Sequence, residues 1–125
     1  MTPHILVIED YAPLRELMRE VLEEVGGYHV TALGDAETAQ PLLLEHHFDL
    51  VVLDLGLPGR IGGLELARAI RASGVDAILF VSGREIATSE LRPGDRSLRK
   101  PFRMDTLLLE AAALLPQDDR EARAS

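Results

Sequence analysis

Residues 49–59 read DLVVLDLGLPG, and this stretch decides the fold. The apolar run at 50–53 contains two valines, and Asp54 follows it directly. A strand that is apolar at consecutive positions is buried on both faces, which is typical of a parallel sheet covered by helices on both sides. Gly56, Pro58 and Gly59 are turn formers that end the strand. The stretch therefore predicts a central parallel strand that ends in a carboxylate.

Strands and helices are predicted to alternate five times along the rest of the chain. Apolar or alternating runs indicate the strands, and helical spacing or an N-cap residue indicates the helices. The connection after the fourth strand shows only a weak helical pattern, with at most two helical turns before Pro93. The predicted strands are 4–10, 28–33, 49–55, 76–82 and 96–100, and the clearer helices are 13–25, 36–46, 64–73 and 103–115.

Length and composition bound the protein class. A chain of 125 residues predicts one domain, here 1–116, followed by a polar, frayed tail at 117–125. The net charge of -8 disfavours nucleic acid as a partner, and the lack of cysteine excludes disulfides and thiol chemistry. The N-terminus lacks the pattern of a signal peptide, and no apolar run has the length of a membrane span. We expect a cytoplasmic protein without membrane contact.

Reactive side chains follow four of the predicted strands. Glu9 and Asp10 follow the first, Asp54 the third, Ser82 the fourth and Lys100 the fifth. In open α/β sheets, sites form beyond the carboxyl ends of the strands, so these groups should converge. Clustered carboxylates repel one another unless a cation lies among them, and hard oxygen ligands suit Mg²⁺. A carboxylate can also act as a nucleophile and form an acyl phosphate, with a lysine and a hydroxyl facing the phosphoryl oxygens.

Lys100 is the only lysine in the chain, whereas arginine is used at every other cationic position. Lysine carries a compact point charge on a flexible stem, and arginine carries a wide planar fork. A site that pairs with single carboxylate or phosphoryl oxygens in a tight space favours lysine. This residue choice supports a role in the predicted cluster.

Four segments together resemble a known family. VIED at 7–10, VVLDLGLPG at 51–59, LFVSGR at 79–84 and RKPF at 99–102 are similar to the receiver domain of bacterial two-component response regulators. The resemblance covers residues 4–115. It implies a flavodoxin-like, doubly wound (βα)5 fold with a five-stranded parallel sheet in the order 2-1-3-4-5. It also implies that Asp54 accepts a phosphoryl group from a histidine kinase or a histidine phosphotransfer protein, in a phosphorelay.

The same resemblance implies a role for each site residue. Asp10 would bind Mg²⁺ directly, Glu9 mainly through water, and Asp54 and the backbone carbonyl of Gly56 would complete the protein ligands. The phosphoryl-binding and switch positions would be Ser82, Gly83, Lys100 and Pro101, with a cis peptide before the proline.

Three features depart from the family pattern. Ser97 occupies a switch position where an aromatic residue is usual, three residues before Lys100. The spacing from Ser82 to Lys100 is short, and the loop after Asp54 is one residue longer than the common form. We expect a monomer or a weak dimer, and a stand-alone or hybrid-kinase-like receiver without an attached output domain.

Two alternatives remain open at this point. A haloacid dehalogenase-type enzyme would also form an aspartyl phosphate, but it requires a second acid where this chain has Gly56. A degenerate receiver would act as a constitutive protein-interaction module, although the complete set of acids, serine and lysine argues against it. Apart from catalysing its own phosphorylation and dephosphorylation, the protein is not expected to be an enzyme.

Overall fold

The computed structural model describes residues 2–59, 61–86 and 91–116. Five strands form one parallel sheet in the order β2-β1-β3-β4-β5, which confirms the predicted fold class. The strands are β1 (His4–Ile8), β2 (His29–Leu33), β3 (Leu50–Asp54), β4 (Ile78–Ser82) and β5 (Arg96–Arg99). All residues of β3 and β4 are buried, because helices cover both faces of the sheet.

Among the described residues, four α-helices connect or follow the strands: α1 (Ala12–Glu20), α2 (Ala36–Glu45), α3 (Gly63–Ala72) and α4 (Met104–Leu114). The side chain of Asp35 caps α2, with Oδ1 accepting a hydrogen bond from the Thr38 amide at 2.6 Å. This bond confirms the predicted start of the second helix.

The first helix changes its winding before it ends. A single helix to Val25 was predicted, but the α-helical part stops at Glu20 and residues Val21–Val25 form a π-helix. The amide of Gly26 donates to the carbonyl of Val21, five residues earlier. A Cβ at Gly26 would lie 2.7 Å from the carbonyl oxygen of Leu22 and from the ring of Tyr28. Glycine at this position therefore permits the close approach of the backbone to Leu22 and Tyr28 at the end of the π-helical turn.

Alternating strand residues divide the core into two layers. Leu6, Ile8 and Phe80 pack with α2 and α3 on one side of the sheet. Ile5 and Val81 pack with α1 and α4 on the other side. The two layers hold the strands in fixed register, so that their carboxyl ends meet at one edge.

The connection between β4 and β5 contains no helix in its described parts, 83–86 and 91–95. The weak fourth helix predicted there falls partly on 87–90, which lies outside the described residues, as does the predicted tail at 117–125. The buried side chain of Asp95 forms an ion pair with Arg71 of α3 and accepts a hydrogen bond from the Arg92 amide at 2.9 Å. These contacts fix the shape of the turn before β5 and tie it to α3.

Candidate phosphoacceptor and metal site

The three acids meet at the carboxyl edge of the two central strands. Ile8 of β1 is paired with Leu53 of β3, so Glu9 and Asp54 come next on adjacent strands. Glu9, Asp10 and Asp54 each offer an oxygen within 4.8 Å of the others. Glu9 and Asp54 are buried, whereas Asp10 is exposed. The structure thus brings together the three carboxylates that the strand-end argument predicts.

Lys100, which follows β5, also reaches the cluster of acids. Its amide donates to the Ser82 carbonyl at 2.7 Å, which extends the β4–β5 pairing by one residue. Its Nζ lies 2.7 Å from Oε1 of Glu9 and 3.3 Å from Oδ2 of Asp54. The Lys100–Pro101 peptide bond is cis, as the family resemblance implies.

Burial governs the ionisation of Glu9. Its side chain is fully buried, and this burial raises the pKa of Glu9 to about 7, with the Asp54 carboxylate acting in the same direction. Lys100 and the Tyr11 amide, which donates to Oε2 at 3.0 Å, oppose the increase. Burial disfavours the charge on Lys100 too, but its contacts with Glu9 and Asp54 raise the pKa of Lys100 overall.

One oxygen of the cluster lacks an aligned donor. Oε1 of Glu9 has no hydrogen-bond partner of acceptable geometry within the described residues. The 2.7 Å contact with Lys100 Nζ is therefore an ion pair without good hydrogen-bond alignment. A buried carboxylate oxygen of this kind, next to two further carboxylates, fits a hard divalent cation, either directly or through one of its waters. The residues present thus fit Mg²⁺.

A cleft opens beside Asp54 toward the end of β4. It measures about 360 Å³ and is lined by Leu55, Gly56, Ser82, Gly83 and Arg84. The Gly56 amide donates to Oδ1 of Asp54 at 2.9 Å, and the Arg84 amide donates to Oγ of Ser82 at 3.1 Å. Each of these bonds joins a side chain to the amide two residues later, so the turns after β3 and β4 orient the two groups. Room for a phosphoryl group is thus present at Ser82 and at the two residues that directly follow Asp54.

Ser97 lies on β5, paired with Phe80 of β4, and it is exposed. It lines a second cleft, with Ile86 and Leu91 among the other lining residues. Ser97 is therefore placed on the flank of the sheet, three residues before the lysine that enters the acidic cluster.

Two residues that sequence reasoning did not single out adjoin the acidic pair. The guanidinium of Arg15 donates to the Glu9 carbonyl, and Gly34 lies against that guanidinium. In the sequence, Arg15 could have been singled out as a cationic residue in the first turns of the helix that follows Glu9 and Asp10. Gly34 is separated from this arginine by 19 positions, and no local pattern connects the two.

Comparison with known proteins gives consistent matches. The model of the response regulator receiver domain family matches residues 5–112. The chain is 33% identical to the aerobic respiration control protein ArcA of Escherichia coli K12, over 91% of this chain and 49% of that protein. It is 35% identical to the response regulator MprA of Mycobacterium avium, over 96% of this chain and 56% of that protein. The chain thus spans about half the length of these curated relatives.

A solved structure agrees with the sequence matches. The non-phosphorylated HemR receiver domain of Leptospira biflexa superposes with a TM-score of 0.79 and 33% identity, covering 90% of this chain and 94% of that one. The similarity thus extends over nearly the whole fold.

Proposed function

This chain belongs to the response regulator receiver domain family, and we propose that Asp54 is its phosphoryl acceptor. Receiver domains are signalling domains that interact with histidine kinases or phosphotransfer proteins. The observation that carries the proposal is the convergence of Glu9, Asp10, Asp54 and Lys100 beside an open cleft. The donor would be a phosphohistidine of such a partner, and phosphorylation would signal through a conformational change that alters partner binding.

The proposed reaction is an in-line transfer to a carboxylate. An oxygen of Asp54 attacks the phosphorus, the bond from phosphorus to the donor nitrogen breaks, and its electron pair leaves with the imidazole. An acyl phosphate forms on Asp54. Hydrolysis removes the phosphoryl group: a water oxygen attacks the phosphorus, the bond from phosphorus to the Asp54 oxygen breaks, inorganic phosphate leaves with the oxygen of the water, and the carboxylate is regenerated. Both steps concentrate negative charge at the edge of the sheet.

Glu9, Asp10, Asp54 and the Gly56 carbonyl are the proposed ligands for Mg²⁺. When bound, the cation supplies the charge that offsets three carboxylates and a phosphoryl group. The remaining work falls to the chain itself. Lys100 already faces Asp54 at 3.3 Å and can pair with a phosphoryl oxygen. The hydroxyl of Ser82 accepts from the Arg84 amide, so its own hydrogen can point to the phosphoryl group.

Ser97 and the absent aromatic ring bear on how the signal leaves the site. A ring on β5 could turn inward to bury apolar surface when the Ser82 hydroxyl moves, but a serine has little apolar surface to bury. We therefore propose that the response involves a shift of the segment around residues 84–95 and that dimerisation through this face is weak. Hydrogen exchange of the amides at 84–86, 91–92 and 94–95, in the unphosphorylated and the phosphorylated protein, reports on this shift.

Labelling by a small phosphodonor tests the acceptor. With Mg²⁺ and acetyl phosphate, the wild-type protein should gain the mass of one phosphoryl group, and Asp54→Asn should gain none. Asp76→Asn is the matched control, because Asp76 is an exposed aspartate at the other end of β4. Equal labelling of Asp54→Asn would exclude this acceptor. An unlabelled wild-type protein would favour the alternative, a constitutive interaction module.

A further inference from the structure

We propose that Arg15 is a positioning residue for the Glu9–Asp10 pair. Its guanidinium fixes the backbone that carries both carboxylates, in a space that Gly34 leaves open. The inference rests on the proposed function, because it concerns the same metal-binding edge. Arg15 touches the carbonyls of the pair and would act on a bound cation only through the two acids.

The contacts of Arg15 define this role. It is half-buried in α1, and its Nη1 donates to the Glu9 carbonyl at 2.9 Å and lies 3.5 Å from the Asp10 carbonyl. The Glu9 amide donates to Leu33 of β2 at 2.9 Å, so β1–β2 pairing continues to this point. Arg15 then holds the next carbonyl, where the chain leaves the sheet. Without it, the peptide units that carry the two acids would have more freedom to rotate.

Gly34 provides the space for this contact. It follows β2 directly, and a Cβ built on it would lie 2.9 Å from Nη1 of Arg15. Its φ is not in the positive range, so an alanine would fit the backbone. Because the clashing atom is the end of a flexible side chain, alanine should displace the guanidinium and leave the sheet intact. Gly34→Ala therefore perturbs Arg15 without changing any charge.

Arg15 points its charge at carbonyl oxygens, whereas Lys100 points its charge at carboxylates. This difference separates positioning from charge neutralisation. If Arg15 acted by charge alone, its removal would make the site more negative and would tighten the binding of a divalent cation. If it acts by positioning, its removal should weaken binding in spite of the added negative charge. The two roles therefore predict changes of opposite sign.

The test measures the dissociation constant of Mg²⁺ alone, by calorimetry or amide chemical shifts, at about 0.15 M salt to screen distant charges. We expect Arg15→Ala to weaken binding about tenfold, at the lower end of the effect of outer-shell partners. Gly34→Ala should weaken it similarly, and the double variant should be no weaker than Arg15→Ala. Arg15→Lys should recover part of the loss.

Arg19→Ala is the matched control. Arg19 lies one turn further along α1 and pairs with Glu16 and Glu23, so its removal makes the same charge change. This variant should bind Mg²⁺ within about twofold of wild type, since the charge of Arg19 is paired with Glu16 and Glu23 and is screened by salt. A second readout needs no metal: the amides of Glu9, Asp10 and Tyr11 should exchange faster in Arg15→Ala and Gly34→Ala than in Arg19→Ala.

Each outcome decides the inference. Suppose that Arg15→Ala binds Mg²⁺ as tightly as Arg19→Ala does, and that the wild-type protein is phosphorylated on Asp54. This result would refute the role of Arg15 and leave the proposed function standing. Unchanged binding by Gly34→Ala would refute the shared contact. If the wild-type protein bound no Mg²⁺, the proposed function would fail, and the exchange rates would still decide whether Arg15 orders the pair.

Discussion

Lys100 lies closer to Glu9 than to Asp54. Its Nζ is 2.7 Å from Oε1 of Glu9 and 3.3 Å from Oδ2 of Asp54, so the lysine bridges the two buried carboxylates. The family resemblance implies a phosphoryl-binding role for Lys100, whereas its contact with Glu9 is seen only in the structure. Lys100 thus provides the counter-charge for a fully buried acid as well as for the proposed acceptor. A single ammonium group that contacts two oxygens fits the preference for lysine at this position.

Lys100→Arg should fold and accept phosphate but respond poorly to it. The charge is retained, whereas the planar fork cannot reproduce a point contact with both Glu9 and Asp54. The measurement is the amide chemical-shift change that phosphorylation causes in each variant. Arg99→Lys is the control, because it makes the reverse exchange at the exposed neighbouring position. A full response in Lys100→Arg would mean that charge alone suffices.

Asp10→Asn should lose both Mg²⁺ binding and phosphorylation by acetyl phosphate. Asp10 is exposed, so its replacement should change the free energy of unfolding by no more than about 0.5 kcal/mol. Calorimetric Mg²⁺ titration and thermal melting, with Asp76→Asn as the charge-matched control, check both parts. Phosphorylation at the wild-type rate would argue against a ligand role.

Gly63→Ala should destabilise the fold, by about 1–3 kcal/mol, because it overpacks a rigid site. A Cβ at Gly63 would lie 2.9 Å from the Cα of Leu55, in the loop that follows the proposed acceptor. A Cβ at the adjacent Gly62 meets nothing within 4 Å. Urea unfolding of Gly63→Ala and Gly62→Ala compares the two directly. Equal losses of stability would show that the backbone, and not this contact, sets the cost.

His4 should make the protein less stable in mild acid. Burial lowers the pKa of His4 from 6.5, and the neighbouring His29 adds to this effect. The His4 ring stacks on that of His29 at 4.0 Å, and its Nε2 is hydrogen-bonded to Oγ1 of Thr31 at 2.8 Å. Below pH 6.5 the unfolded chain binds the proton more readily than the folded one, so stability falls as the pH falls toward the lowered pKa.

Replacement of this histidine tests the effect. We expect His4→Gln to be less sensitive to a change from pH 7.5 to 5.5 than the wild-type protein, as measured by melting temperature. His46, His47 and Asp49 also act on the pKa of His4, the aspartate in the opposite direction. The exposed His47 provides the control variant, His47→Gln. Parallel pH dependence in wild type and His4→Gln would rule out His4 as the source.

The sequence by itself determined the class of fold and the location of the site. An uninterrupted apolar run at 50–53 requires burial on both faces, and the alternation of strands and helices then requires a parallel sheet. In such a sheet the residues that follow the strands meet at one edge, which brings Glu9, Asp10 and Asp54 together. The order of the strands came from the family resemblance, and the structure and the comparisons confirm it. The roles of the individual site residues remain predictions.

Only the tertiary structure decided which contacts fill that edge. The approach of Lys100 to Glu9 joins residues 91 positions apart, and the placement of Gly34 against Arg15 depends on how α1 packs across β1 and β2. The π-helical end of α1 depends likewise on the fit of Gly26 against Tyr28. A shift of a few tenths of an ångström would make or break these contacts, because packed interiors leave little free space. Local periodicity specifies which face a residue occupies, but close packing of distant segments specifies which atom it meets.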